Sequence, residues 1–240
     1  QQNGTGRIVP GFYYPYNPGN PHYVSIFPDA AAGSFGITNE GFRGMGIRKD
    51  AQYNFSVKAR LHESSDIKMK VELLSASGQI IGTAVISGFT ADWTNHKVSF
   101  AASDTELKAL LRITLEGKGA IDLDMISLFP ADTWKERENG LRKDLVQMIA
   151  DLKPGFLRFP GGCIVEGRTL ENRYQWKTTV GPVEDRKLIM NRWNLEIRNR
   201  QTPDYFQSFG LGFYEYFLLA EDIGAEPLPI VNCGMSCQYN

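Results

Sequence analysis

Between about Ser25 and Pro130 the chain alternates apolar and polar residues with a period of two. In YNFSVKARL, Tyr53, Phe55, Val57, Ala59 and Leu61 fall on one face, and Asn54, Ser56, Lys58 and Arg60 fall on the other. That predicts a strand with one side on a core. KMKVELL, HKVSF and LLRITLEG repeat the pattern. Turn-forming breaks at Ser75-Ala76-Ser77-Gly78, Ala91-Asp92 and Glu116-Gly117-Lys118-Gly119 separate these runs, and short strands at such spacing predict an antiparallel sandwich. In AIDLDMISLFP the apolar phase shifts between Met125 and Ile126, which predicts a bulge.

After Pro130 the period changes. NGLRKDLVQMIADLKP places Leu141, Leu145, Met148, Ile149 and Leu152 on one helical stripe, with Pro154 as its stop. GFLRFPGG then reads as a short strand. A second helix starts either at Thr202-Pro203 or after Gly212, and runs through FYEYFLLAEDI to Gly224 as its C′ residue. PLPIVNCG reads as another strand. The order helix, strand, long loop, helix, strand is that of a parallel α/β unit. The boundary therefore falls near residues 130 to 135, dividing the chain into 1–132 and 133–240. The segment from Gly167 to Gln201, which carries Trp176 and Trp193, is long for a strand-to-helix connection, and such length marks functional loops.

Composition narrows the function classes. With 26 Lys+Arg against 27 Asp+Glu, the net charge of −1 argues against a nucleic-acid partner held mainly by phosphate attraction. No run of about 18 apolar residues is present to span a membrane. The opening QQNGTG has neither an initiator Met nor a signal peptide's apolar core, and reads as a processed or trimmed product, which is compatible with a secreted or periplasmic location. Cys163, Cys233 and Cys237 are odd in number. The Cys-x-x-x-Cys pair lacks the further Cys/His ligands of a zinc site, so the three read as buried or site-lining thiols, with no metal or cofactor expected.

His22, His62 and His96 all precede residue 97, which excludes a Ser-His or Cys-His pair within the α/β half. The stretch FLRFPGGCIVEG is the most site-like. Its glycines permit positive φ and close approach to a ligand at a strand end. Arg158 lies in a strand expected to be largely buried, where a charge needs a partner; it is either a structural ion-pair member or a ligand contact. Cys163 is either a small buried residue at a tight turn or a polar contact. The carboxylates Glu166, Glu171, Glu184, Asp185, Glu196, Glu215, Glu221 and Asp222 are numerous enough for glycoside hydrolysis, which needs two facing each other, but spacing does not reveal the pair. Glu184-Asp185-Arg186 reads as a solvated turn and Glu221-Asp222 as the outer face of a helix. Tyr174, Trp176, Trp193 and the Phe12-Tyr13-Tyr14-Tyr16 cluster offer flat faces with polar rims, suited to sugar rings. Trp93 and Phe100 read as core.

These motifs resemble a known family. PGGCIVEG, RYQWKTTVGPVEDR and GLGFYEYFLLAEDIGAEPLPIVNCGMSCQ resemble the α-L-arabinofuranosidases of glycoside hydrolase family 51, in their long form. NPHYVSI, NEGFRGMGIRKDAQYNFSVKAR and DWTNHKVSF are similar to the carbohydrate-binding-module-like domain inserted near the start of their barrel. The resemblance implies a multidomain β plus α/β architecture. A jelly-roll sandwich over 1–132 would precede part of a (β/α)8 TIM barrel over 133–240.

In function, the resemblance implies a retaining glycosidase releasing terminal arabinofuranosyl groups from plant-type, arabinose-containing oligo- or polysaccharides. Arg158, Cys163, Trp176 and Trp193 would line the sugar pocket. The acid/base and nucleophile are expected beyond Asn240, since no position matches their motifs, and the portion alone is expected to be inactive. The first barrel strand is also unmatched, so the barrel portion is expected to associate with the rest of a barrel or with another copy. The rival reading is a noncatalytic carbohydrate-binding module with a vestigial α/β segment.

Overall fold

The computed structural model describes residues 5–29, 35–63, 65–195, 199 and 204–237. The chain divides into two compact units, Gln1–Lys143 and Asp144–Asn240. The first holds strands β1 (Gly6–Gly11), β2 (Tyr23–Pro28), β3 (Phe35–Asn39), β4 (Met45–Ile47), β5 (Gln52–Leu61), β6 (Lys68–Leu74), β7 (Ile80–Ile86), β8 (Thr94–Ala101), β9 (Glu106–Glu116) and β10 (Ile121–Pro130). One sheet has the order β1-β2-β10-β5-β8 and the other β3-β9-β6-β7, with β4 also on β9. All these pairings are antiparallel.

The alternation read along the chain becomes the core of this unit. Phe55, Val57 and Ala59 of β5 meet Met69, Val71 and Leu73 of β6 and Leu111, Ile113 and Leu115 of β9 in one continuous cluster. Each fully buried Val, Leu, Ile, Met or Phe side chain among them contributes roughly 1.5–3 kcal/mol of transfer free energy. The bulge also forms. The β10–β5 register shifts between Asp124 and Ser127, and Met125 takes φ of 47°. Within the second sheet, Glu72 is buried opposite Arg112, whose Nε donates to its Oε2 at 2.7 Å, while Lys70 Nζ lies 2.8 Å from Oε1. Burial pushes this carboxyl up, but Arg112 and Lys70 outweigh it and hold it below the usual carboxylate range.

Residues 131–143 stay with the sandwich. Ala131 N–H donates to Gln52 O, Thr133 bridges Arg142, and Lys143 donates to Asp132 at 2.9 Å. β1 precedes the region in which the alternation is legible. It contains both Gly6 and Pro10 and buries no residue fully, so it carries no period-two signal.

The second unit contains α1 (Lys143–Asp151), β11 (Phe156–Phe159), α2 (Cys163–Glu166), the two-residue strands β12 (Ile189–Met190) and β13 (Phe206–Gln207), α3 (Phe213–Ile223) and β14 (Glu226–Pro229). β11 and β14 pair in parallel, Phe156 opposite Glu226 through Phe159 opposite Pro229. α3 begins after Gly212 and ends at Gly224, which adopts the left-handed conformation and donates back to Ala220 O and Glu221 O. The alternative start at Thr202-Pro203 lies outside the described residues, as does Glu196.

The stripe on α1 is not covered as its pattern suggests. Leu145, Met148 and Ile149, with Leu152 just beyond the helix, are exposed, and Val146 is the buried residue. Periodicity identifies an apolar face without supplying the surface that covers it. Among the described residues no helix is long and apolar enough to cross a membrane.

Candidate functional site

Both parallel strands deliver their following segments to one end of the pair. β11 ends at Phe159, whose carbonyl accepts from Ile230 N–H at 2.6 Å just past β14. The chain then turns through Pro160 and Gly161, whose φ of 127° is a conformation that L side chains rarely adopt, and enters α2. The loop after β14 is fastened to α2. Asn232 Nδ2 donates to Val165 O at 3.0 Å and to Met235 O at 2.9 Å, and Cys237 N–H donates to Gly167 O at 3.1 Å.

These links bring the Cys163 and Cys237 thiols and the Glu166 carboxylate within 4.8 Å of one another. Arg192, itself buried, reaches Cys237 Sγ with Nη2 at 3.5 Å. The guanidinium pulls the Cys237 thiol down, while burial, Glu166 and Cys163 push it up, and the net shift is upward. Cys163 and Glu166 sit at i and i+3 on α2, a spacing that places them on one face. The sequence reveals that spacing but not the arrival of Cys237 from a different strand end.

A second cluster packs against the start of α3. Phe159, Tyr174, Phe209 and Phe213 are buried together. Tyr174 meets Phe209 edge-on at 5.0 Å, and Trp176 stacks on Phe213 at 6.0 Å. Burial raises the Tyr174 hydroxyl to about 12. The first amides of α3 are capped from outside and inside the helix: Phe213 N–H donates to Thr179 Oγ1 at 3.0 Å, and Gly212 N–H donates to Glu215 Oε2 at 2.8 Å. Arg186 grips the same Glu215 with two bonds, Nη2 to Oε1 at 2.8 Å and Nη1 to Oε2 at 3.0 Å, and also donates to Gly181 O and Phe209 O. Burial pushes Glu215 up, but Arg186 and the Gly212 amide outweigh it and leave it below the usual range.

The solvated-turn reading of Glu184-Asp185-Arg186 therefore holds only for exposed Asp185 and half-buried Glu184. Arg186 is buried and paired, because its partner Glu215 lies 29 positions along the chain.

The four candidate pocket residues occupy different surroundings. Arg158 is exposed rather than buried, and among the described residues it makes no ion pair. Among the described residues its strand has β14 as its single hydrogen-bonded neighbour, without the flanking strands that bury a central strand. Cys163 is exposed at the start of α2, in the thiol cluster. Trp193 is partly exposed, with the Arg192 guanidinium 5.8 Å from its ring centre, which links it through Arg192 to Cys237. Trp176 lies with Phe213. Of the thiols, Cys237 is buried and Cys233 is exposed.

In the sandwich unit, Phe12, Tyr13 and Tyr14 are about 70% exposed. Their backbone is nevertheless held: Arg60 donates to the carbonyls of Tyr13 and Tyr14, Tyr23 OH to Tyr13 O, and Trp93 Nε1 to Tyr14 O. Arg60 is itself anchored on fully buried Asp122 at 2.8 Å, which also receives Ser25 and lies 2.6 Å from His62 Nε2. Trp93 thus belongs to this outer cluster, edge-on to Tyr16 and Tyr23 and under Arg60, and not to the core. Phe100 is in the core.

Residues 148–240 match the family model described as the α-L-arabinofuranosidase 1 domain. An extracellular exo-α-L-arabinofuranosidase of Streptomyces chartreusis is 40% identical over 95% of this chain, and the alignment spans 27% of that protein. α-L-Arabinofuranosidase 1 of Arabidopsis thaliana is 38% identical over 85% of the chain, spanning 29% of its own length. Among solved structures, an arabinose-bound GH51 α-L-arabinofuranosidase superposes with a TM-score of 0.85 at 28% identity, covering 98% of this chain and 38% of that one. The chain thus spans less than a third of the length of these two curated relatives. Domain model, relatives and fold all liken this chain to α-L-arabinofuranosidases, the solved structure being that of a GH51 enzyme.

Proposed function

We propose that the chain forms part of a retaining α-L-arabinofuranosidase that releases terminal arabinofuranosyl groups from plant-type, arabinose-containing polysaccharides. The observation carrying this reading is the superposition of nearly the whole chain on the arabinose-bound enzyme. In this reading residues 1–132 are a carbohydrate-binding-module-like jelly roll and 133–240 are part of a TIM barrel. A parallel pair with its site segments gathered at the strands' C-terminal ends is the barrel arrangement. Arg158, Cys163, Trp176 and Trp193 line the sugar pocket. The exposed Arg158 is available to hydrogen-bond a sugar or a carboxylate that the remaining barrel supplies, and the covering of α1 and β14 falls to the same missing parts or to a second copy. Export is supported by the extracellular relative.

The test is hydrolysis of an aryl α-L-arabinofuranoside by the complete protein carrying this chain, beside the 1–240 chain alone. The complete protein turns over with retention and 1–240 is silent. Within the complete protein, Arg158→Ala lowers kcat/KM more than Cys163→Ser, because it removes a charged hydrogen-bonding fork whereas serine keeps a small polar group. Absence of turnover by the complete protein, or turnover by 1–240 that a substitution within it abolishes, contradicts the proposal.

The pinned, outward Phe12-Tyr13-Tyr14 loop favours a second reading, glycan contact by the sandwich without catalysis. Affinity electrophoresis on arabinoxylan decides it: retardation of residues 1–143 lost in Tyr13→Ala supports that role, and unretarded migration removes it.

A further inference from the structure

We propose that Cys163, Glu166 and Cys237 form a binding site for one soft divalent cation, of which Zn2+ is the best fit. Three observations carry this. The donor atoms all lie within 4.8 Å of one another, against roughly 3.5 Å between ligands of a tetrahedral zinc with bonds of about 2.0–2.3 Å, so small side-chain rotations close the site. The ligands come from two separate segments that hydrogen bonds hold together: α2 supplies Cys163 and Glu166, and the loop after β14 supplies Cys237, tied to α2 by the Asn232–Val165 and Cys237–Gly167 hydrogen bonds. The 3-10 turn Arg192–Leu195 supplies the Arg192 guanidinium at 3.5 Å from Cys237 Sγ.

The charges also balance. Two thiolates and a carboxylate carry three negative charges, and a divalent ion with the neighbouring guanidinium carries three positive ones. Two thiolates select a soft ion over Mg2+ or Ca2+. Three protein ligands leave one tetrahedral position open to water or a hydroxyl, the form taken by exchangeable rather than closed structural zinc sites. Binding displaces two thiol protons to solvent and forms two metal–sulfur bonds, with no change of oxidation state.

Cys163 is also assigned to the sugar pocket, so ion and sugar would exclude one another there. That consequence rests on the proposed function; the site itself does not.

The experiment titrates the reduced, chelator-treated 1–240 chain with Co2+ and then Zn2+. The expected result is a thiolate-to-cobalt charge-transfer band that saturates at one equivalent and is erased by one equivalent of Zn2+. Cys163→Ser and Cys237→Ser each abolish the band and weaken Zn2+ by roughly 100-fold or more, Glu166→Gln weakens it less, and Cys233→Ser leaves it intact. Cys163 is exposed, so its variant retains the fold, as a thermal melt verifies. No band, a band surviving in Cys163→Ser, or a Cys163–Cys237 disulfide found by thiol labelling before reduction would overturn the site. Because the readout is spectroscopic, a silent glycosidase assay leaves this result standing, and a failed titration leaves the glycosidase reading standing.

Discussion

The two units solve the burial problem differently. In the sandwich, two sheets face each other and their alternating side chains close one core, from Ile26 through Phe55, Met69 and Ile113 to Leu123. In the α/β unit the corresponding cluster is four buried aromatics, Phe159, Tyr174, Phe209 and Phe213, while Leu145, Met148, Phe156, Phe217 and Leu228 are exposed. Tyr214, Phe217, Leu218, Glu221, Ala225 and Pro227 line an open hollow of about 340 Å³. An antiparallel sandwich can satisfy its apolar faces from within. A parallel pair is ordinarily flanked by further strands and covered by helices on both faces, and among the described residues this pair leaves its apolar side chains largely exposed.

Substitutions sharpen the contrast. The largest effect is expected for Phe55→Ala, which opens a cavity in the closed core and costs the sandwich about 4 kcal/mol in denaturant unfolding. Glu215→Ala comes next. It strips Arg186 of its bidentate partner, removes a cap from α3, and costs the α/β unit about 2 kcal/mol in its own transition. Met148→Ala, on the uncovered stripe of α1, changes stability by no more than about 0.5 kcal/mol. A Met148 effect as large as that of Phe55 would erase the distinction between the units.

Acid offers a comparison within one chain. Glu72 in the sandwich and Glu215 in the α/β unit are both held below their ordinary value of 4.5. A carboxylate with a depressed folded pKa stabilises fully above its unfolded value, and that contribution is lost as pH falls through the folded one. Both transitions are therefore expected to weaken below about pH 4.5. Glu72→Gln should flatten the acid limb of the sandwich transition alone, as melts between pH 7 and 3 would show.

What was legible in the chain divides along the same line. The faces of β5 follow from alternation because an antiparallel strand on one core has a period of two, and the β10 bulge follows from the break in that period. The body of α3 and its Gly224 cap were readable because a helix C-terminus carries local chemistry, while its start stayed open between two signals. The exposure of Arg158 was not readable, since a short apolar strand reads the same whether or not its flanks are occupied. Neither were the Arg186–Glu215 grip and the meeting of Cys163 with Cys237, which join residues 29 and 74 positions apart through a fold with no local signature. Pattern alone does not place Trp93, because a tryptophan beside a strand suits a core and an outer aromatic cluster equally well.

The sandwich closes its own core, whereas the described residues of the α/β unit leave much of their apolar surface exposed. Amide hydrogen exchange on the intact 1–240 chain separates the two units. Amides of β5, β6, β9 and β10 are expected to exchange only through global unfolding of the sandwich, and those of α1, β11 and β14 orders of magnitude faster through a separate, low-energy opening. Equal protection of β11 and β14 with the sandwich strands, lost in a single cooperative step, would contradict this expectation.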